Sequence, residues 1–572
     1  MVLYILNVFL RNKLNNNMKK IIECVPNFSE GRNMDIIKKI TDEIEKVEGV
    51  TLLDVDPGKA TNRTVVTFVG EPRDVVKAAF VAIQKAAELI DMRKHTGEHP
   101  RMGATDVCPF VPVANATMED CIACAKELGE MVGEKLGIPV YLYESAASND
   151  QRKNLANIRS GEYEGINKKI TSPEWKPDFG PATFNERSGN TAIGARDFLI
   201  AFNVNLNTTS IKRANSVAFD VREQGRVDPS GNKDANGEVI RIAGKCKAVK
   251  GIGWFIEEYG IAQVSMNLIN TNITPVHIAF DACVESAYNR GMRVTGSELV
   301  GLIPLQSMID AGKYFLQKQQ RSTGVNESDL IKIAIKSMGL DELSPFNPEE
   351  KIIEYKLAGK NRHGKLVSMP LHVFAGETAS ESPAPGGGSV SAYVGTLGVS
   401  LGIMVANLSS QKKGWEDKLE SFSSWAEKGQ QIKDRLLHMV DEDTNSYNAI
   451  MDAFTLPKSN GEEKEIRKNA VEKATKYATE VPFKVMEICY ESMDLLQAMT
   501  AEGNPNSITD AGVGALCANT AVKGAYLNVK VNAKDIKDNE FVEDILQRAE
   551  KIAVAAAEKE HIIMAALKAK FN

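Results

Sequence analysis

The sequence predicts a multidomain chain: two α/β (α+β) subdomains followed by an all-α domain. Three observations carry this. The chain has 572 residues, 43% of them hydrophobic and 25% charged, which is a globular composition in a chain too long for one core. Short β-rich runs alternate with helical patterns from Lys20 to about Leu343. From Gly387 onward the β signal nearly vanishes, and apolar periodicities of helical spacing run to the end with few prolines.

In chain order, IIECVPNF (21–28), GVTLLDVDP (49–57) and NRTVVTFVG (62–70) read as strands, and VVKAAFVAIQKAAELI (75–90) as a helix. PVYLYE (139–144), DFLIAFNVNL (197–206) and IAQVSMNLI (261–269) continue the β signal. The polar, glycine-rich stretch Gly180 to Gly194 separates two such groups, so the subdomains are expected at 18–196 and 197–343, facing one another. Residues 344–377 carry Pro, Lys and Gly with weak periodicity, as a linker would. The helical domain is expected over 378–572, with patterns at 390–410, 415–440, 441–456, 463–500, 510–527 and 540–570. Residues 1–17 start apolar but lack a basic start and a small-residue cleavage site. Because Met18-Lys19-Lys20 leads straight into a strand, Met18 is the expected start and 1–17 an extension outside the domains.

A net charge of -6 argues against a general nucleic-acid binder and leaves room for a basic cleft that takes a small acidic molecule. Eight cysteines spread over the whole length lack the density of a disulfide-stapled domain and fit a reducing cytoplasm. The pair Cys121 and Cys124 lies in a segment where Ile122, Ala123, Leu128, Met131 and Leu136 read as an amphipathic helix, and no second pair completes a zinc set. Ser382 to Gln411 is uncharged, yet it begins PAPGGGS and carries Gly395, Gly398 and Gly402. Such spacing suits close helix packing in a core better than a membrane span. PAPGGGS lacks the Gly-Lys-Ser/Thr of a nucleotide loop, and Ser389 is expected to cap the helix that follows. GNPNSITDAG (503–512) has similar turn chemistry and receives no chemical role.

The stretch DMRKHTGEHPRMGATDVCPF (91–110) sets His95 and His99 four residues apart. Zinc binding at that spacing needs a helix that keeps both rings on one face. Gly97 inside the pair and Pro100 after it place His99 on a loop, which argues against a metal. With Glu98 and Arg101 beside it and Asp106 beyond, His99 has the surroundings of a general base, the plain alternative being an idle surface histidine. On the helix around 432–456, Leu436, Val440, Asp443, Tyr447, Ile450 and Phe454 form an apolar stripe that includes an acid and turns Asp441 and Glu442 elsewhere. A carboxyl in such a stripe is costly to ionise unless paired, which raises its pKa.

Several long motifs carry a resemblance. ECVPNFSEGRN (23–33), LLDVDPGKATNRTVVTFVG (52–70), GEHPRMGATDVCPF (97–110), PVYLYE, REQGR (222–226) and KGIGW (250–254) resemble the formiminotransferase domain of the formimidoyltransferase-cyclodeaminase family. SPAPGGGSV (382–390) and VDED (440–443) resemble its cyclodeaminase domain, and the likeness runs in one order from about Met18 to the C-terminus. It implies transfer of a formimidoyl group from N-formimidoyl-L-glutamate to tetrahydrofolate in histidine breakdown, then ring closure to 5,10-methenyltetrahydrofolate with release of ammonia. It places the catalytic roles on His99 and on Asp443, the last residue of the VDxD motif. It assigns folate binding to Gly180, Pro181, Ala182, Thr183, Phe184, Asn185, Glu186, Arg187, Ser188 and Gly189, where Phe184 offers a stacking face and Arg187 a charge.

Beside that likeness, Asp56 reads either as an orienting carboxylate or as a turn former before Pro57-Gly58. Arg63, Arg101 and Arg196 are candidates for the glutamate carboxylates, since guanidinium matches carboxylate in two-point contact. The resemblance further implies tetrahydrofolate, polyglutamylated, as carrier co-substrate with no metal or redox cofactor, and a cytoplasmic ring-like homo-oligomer with neither nucleic acid nor membrane as partner. Two competing readings stand beside it. A folate-binding or scaffolding protein that has lost activity is opposed by the presence of both His99 and Asp443, and a zinc hydrolase by the Gly97-Pro100 geometry.

Overall fold

Successive side chains on a strand point to opposite faces, so each sheet packs one face under helices, and on the first sheet Val107, Tyr141, Tyr143 and Ala192 of the other face form a second core with Ile158, Ile166 and Ile170. The computed structural model describes residues 20–97, 99–233, 239–359 and 364–571, so the extension 1–17 and Glu98 lie outside the described residues. The chain divides into two compact units. One runs to Ala311 and resumes over Ile331–Gly359, and the other joins Gly312–Leu330 to the segment from Lys360 onward.

In the first unit, a seven-stranded sheet contains β1 (Ile21–Cys24), β2 (Asn27–Phe28), β3 (Val50–Gly58), β4 (Arg63–Gly70), β5 (Thr105–Ala114), β6 (Val140–Glu144) and β7 (Thr191–Ala195). β3 and β4 form an antiparallel hairpin, β1 and β2 bridge β4 to β5, and β7 and β6 continue in parallel from β5. Helices α1 (Met34–Glu45), α2 (Pro72–Leu89) and α3 (Met118–Leu136) cover one face. α1 starts where Asn33 accepts the backbone N–H groups of Asp35 and Ile36. α3 starts with a Thr117–Asp120 capping box and stops at Gly137, whose φ of 62° ends the helix in the left-handed region. Phe68 and Phe110 are fully buried beneath these helices, each worth roughly 1.5–3 kcal/mol of transfer free energy. The face α3 buries is Cys121, Cys124, Ala125, Leu128 and Val132, whereas Ala123 is exposed. Of the other expected positions, Ile122, Met131 and Leu136 pack partly buried against the same core, so the two cysteines widen the expected stripe and only Ala123 falls outside it.

After β6 come three short helices, α4 (Asp150–Lys153), α5 (Leu155–Arg159) and α6 (Glu162–Ile170). The second sheet holds β8 (Ile200–Leu206), then, past a small β9–β10 ribbon (Arg226–Val227, Arg241–Ile242), β11 (Val249–Ile256), β12 (Ile261–Leu268) and β13 (Val294–Val300). Its order is β11-β12-β8-β13, antiparallel throughout. α7 (Ile211–Val221) and α8 (Val276–Tyr288) supply buried faces for this half, and Phe280 meets Phe202 of β8 edge to face at 6.5 Å. α9 (Leu305–Lys318) and α10 (Glu327–Met338) span the points where the chain passes from one unit to the other, and part of the stretch 344–377 is helical. It forms α11 (Pro348–Lys351) and α12 (Ile353–Ala358), and Ile352, Ile353 and Tyr355 are buried.

The second unit is helical as expected: α13 (Leu371–Thr378), α14 (Gly387–Ser410), α15 (Leu419–Thr455), α16 (Gly461–Glu502), α17 (Ile508–Ala533) and α18 (Asn539–Phe571). The two patterns separated at 440/441 are one 37-residue helix, α15. Among the described residues α14 alone is long and apolar enough to cross a membrane, and 61% of its apolar window is buried inside this bundle. Its glycines explain the fit, since a Cβ on Gly398 would lie 2.8 Å from the carbonyl oxygen of Gly514 on α17.

Candidate active sites

Because side chains alternate along a strand, Ile22 and Cys24 enter the core of the first sheet while Glu23 and Val25 face the other way. That second face and the uncovered face of the four-stranded sheet enclose a cavity of ≈ 880 Å³ in the first unit. Arg63, Val65 and Thr67 of β4, Val107 of β5 and Tyr143 of β6 line one side, and Asn203, Trp254, Gln263 and Glu298 line the other. His99, Asp56, Arg159 and Arg196 stand on its walls.

His99 sits on the loop between a short 3₁₀ turn (Met92–Lys94) and β5, as Pro100 requires. Gly97 lets that loop lie against the β3–β4 hairpin, because a Cβ there would meet the Thr61 carbonyl oxygen at 2.3 Å. His99 Nδ1 lies 2.7 Å from the carbonyl oxygen of Pro100. A carbonyl only accepts, so Nδ1 carries the proton and Nε2 keeps its lone pair. Burial, followed by the fields of Arg63 and Arg159, brings the imidazole down to about 3. The ring is therefore a neutral acceptor over the whole physiological range. His95 is oriented elsewhere, with Nε2 2.9 Å from the carbonyl oxygen of Asn62, and among the described residues no three His, Cys, Asp or Glu side chains cluster as metal ligands.

Asp106 is fully buried and organises the charges beside His99. Its Oδ2 accepts from Arg63 Nη1 and, at 2.5 Å, from Arg159 Nη2, while its Oδ1 accepts the backbone N–H of Met102 at 3.0 Å. Burial alone would raise this carboxyl, but Arg159 and Arg63 outweigh it and hold it at about 2. Two guanidiniums on one carboxylate leave one positive charge uncompensated at the wall of the cavity, which suits an anionic substrate. Arg159, from a five-residue helix without any motif, is the member sequence reasoning missed. Glu23 is a second: burial, eased by Arg196, pushes its carboxyl up to about 7.

The remaining candidates divide. Asp56 lines the cavity, where its carboxylate accepts the backbone N–H of Gly301 at 2.7 Å. Arg196 lines it too, with Nη1 on the carbonyl of Asp197. Arg101 does not: it is committed to Glu162 at 3.0 Å, Glu164 at 2.7 Å and His95 at 3.3 Å. None of residues 180–189 lines the cavity either. Arg187, expected to offer its charge to a ligand, donates to the carbonyls of Ala87 and Glu88 at the end of α2, and Phe184 packs on Tyr163 at 5.3 Å. The segment holds the loop after His99 from behind, since Ala104 N–H donates to the Ser188 carbonyl and Asn190 N–H to that of Met102.

In the second unit, the four residues of VDED on α15 each take a different direction. Val440 enters the core, and Asp441 accepts the backbone N–H groups of Leu366 at 2.8 Å and Val367 at 3.2 Å. Glu442, expected to point away, is buried and accepts the Tyr477 hydroxyl of α16. Asp443 Oδ2 accepts both the backbone N–H and the hydroxyl of Ser389, at 2.8 and 2.9 Å. Burial raises the Asp443 carboxyl, and the two Ser389 donors partly offset this. The stripe ends there, because Tyr447 and Phe454 are exposed. Ser389 is also the third residue of α14 and not its cap, a position held by Gly386.

Comparisons with known proteins cover both units. The model of the formiminotransferase domain, N-terminal subdomain, matches residues 21–196, that of the formiminotransferase domain 201–358, and that of formiminotransferase-cyclodeaminase 370–551. A formimidoyltransferase-cyclodeaminase of Gallus gallus is 43% identical over 96% of this chain and 99% of its own length. A glutamate formimidoyltransferase of Streptococcus pyogenes serotype M1 is 41% identical over 52% of this chain and 94% of its own. A methenyltetrahydrofolate cyclohydrolase of Methylorubrum extorquens is 35% identical over 35% of this chain and 97% of its own. Two α/β subdomains that enclose His99, an all-α bundle that carries Asp443, and relatives matched almost end to end establish that the chain belongs to the formiminotransferase-cyclodeaminase family.

Proposed function

We propose that the chain catalyses two consecutive steps, with His99 acting in the first and Asp443 in the second. In the first, N5 of tetrahydrofolate attacks the amidinium carbon of N-formimidoyl-L-glutamate. N5 gives its proton to Nε2 of His99, and the imidazolium returns a proton to the glutamate nitrogen as the C–N bond breaks. The products are L-glutamate and 5-formimidoyltetrahydrofolate. The observation that carries this reading is the pairing of a neutral imidazole, its tautomer fixed by the Pro100 carbonyl, with the uncompensated charge of Arg63 and Arg159. Those guanidiniums suit a glutamate carboxylate, with Arg196 and Asp56 further along the walls.

In the second step N10 attacks the formimidoyl carbon, gives its proton to Asp443, and the carboxyl passes a proton to the departing nitrogen. Ammonia leaves and the 5,10-methenyl cation remains. The likeness of this half to a methenyltetrahydrofolate cyclohydrolase supports the product class. Within this reading tetrahydrofolate is the carrier, polyglutamylated, with residues 180–189 contributing to its binding by bracing the His99 loop. The protein acts without metal in the cytoplasm as a homo-oligomer. The test supplies N-formimidoyl-L-glutamate and tetrahydrofolate to purified protein and follows methenyl product and ammonia in parallel. Both should appear in equal amounts, and neither product from well-folded protein removes the reading.

A further inference from the structure

A helix of 24 residues begins at Gly387 with no side-chain cap of its own, since Gly386 offers none. The first turn therefore has free N–H donors, and one of them, on Ser389, is satisfied from another helix by Asp443. The Ser389 hydroxyl adds a second bond to the same oxygen, Oδ2, and is completely buried. Oδ1 accepts no hydrogen bond among the described residues. The glycine before Ser389 completes the arrangement, because a Cβ on Gly388 would lie 2.0 Å from Asp443 Oδ1 and 2.5 Å from Cγ. The glycine run thus lets a carboxylate lie flat on the start of α14.

We propose that Ser389 is a positioning residue for ring closure: it ties Oδ2 of Asp443 to the N-terminus of α14, so that Oδ1 is the oxygen that exchanges protons with N10 and the leaving nitrogen. This rests on the reading of Asp443 as the acid–base of the second step. The surroundings leave Ser389 as the tuning group. Asp441 on the same helix turns to the Leu366 and Val367 backbone, and Glu442 to Tyr477 of α16. Asn528 of α17, the side chain nearest a Cβ on Gly387, is uncharged. No charged side chain shifts Asp443; burial and Ser389 alone do so, in opposite senses. Removing the hydroxyl leaves the backbone N–H and weakens support for the ionised form, so Asp443 takes up its proton at higher pH.

The experiment supplies 5-formimidoyltetrahydrofolate directly to the full chain and records kcat and KM for methenyl formation against pH. Parent, Ser389→Ala, Ser389→Cys and Asp443→Asn are compared, with the helical circular dichroism and thermal melt of each variant as the control for folding. The expected result for Ser389→Ala is an acid limb of kcat displaced to higher pH, a loss of about tenfold below that limb, and an unchanged KM. If the alanine variant does not fold, the cysteine variant, a weaker donor, must displace the limb in the same direction. A folded variant whose limb stays in place, with or without a uniform loss of rate, overturns the role of Ser389. Full cyclodeamination by Asp443→Asn overturns the underlying reading instead, so the two failures are distinct.

Discussion

Arg159 Nη2 lies 2.5 Å from Asp106 Oδ2, joining a short helix to the strand that follows the His99 loop. The same oxygen receives Arg63, so loss of Arg159 leaves Asp106 balanced by one guanidinium and cancels the excess positive charge. Arg159→Ala is expected to raise KM for N-formimidoyl-L-glutamate by at least about tenfold, the worth of one charge-assisted contact. Ring closure of supplied 5-formimidoyltetrahydrofolate should not change. Steady-state kinetics on each substrate separately checks both halves.

Because burial and two guanidiniums hold His99 at about 3 in the free enzyme, a substrate carboxylate that neutralises Arg63 and Arg159 raises it. The acid limb of kcat/KM reports the free enzyme and that of kcat the complex. For formimidoyl transfer, the kcat limb should therefore lie at higher pH than the kcat/KM limb. The separation should shrink in Arg159→Ala, and coincident limbs in the parent would contradict the arrangement.

Glu23 carries the opposite shift, up from 4.5 to about 7, by burial that Arg196 only partly offsets. Below about 4.5 it is neutral in both folded and unfolded chains and has no effect on stability. Its unfavourable contribution grows as pH rises and is complete above about 7. Glu23→Gln should therefore be more stable than the parent at pH 8, by about 2–3 kcal/mol, and nearly equal at about pH 4. Denaturant melts at the two values measure this directly.

A Cβ on Gly97 meets the Thr61 carbonyl at 2.3 Å, so Gly97→Ala must displace the loop that carries His99. The expected cost is about 1–3 kcal/mol of overpacking, together with a larger loss in transfer kcat than in KM. Ring closure, which belongs to the other unit, serves as the internal control.

Much of this was legible in the residues. Alternation revealed β1, β3, β4, β6, β8 and β12, and the prolines and glycines around His99 placed it on a loop. What stayed hidden has physical reasons. β5, the strand through which the first sheet turns parallel, contains Pro109 and Pro112, which read as breakers until neighbours on both sides hold the strand. Arg159 belongs to no pattern, and only the fold brings it 53 positions back to Asp106. Periodicity put Asp443 on the buried side of α15, but it misplaced Glu442, since a tyrosine on the next helix, together with Asn445, can satisfy an acid that the pattern assigns to solvent. Nor does composition register that 312–330 and 331–359 join different units.

If two separate sites act in sequence, two crippled proteins should complement one another when mixed. His99→Ala and Asp443→Asn are assayed alone and together with N-formimidoyl-L-glutamate and tetrahydrofolate. The first variant should release no glutamate, and the second should release glutamate but halt at 5-formimidoyltetrahydrofolate. The mixture should restore ammonia and 5,10-methenyltetrahydrofolate. Methenyl product from either variant alone at the parent's rate would contradict it.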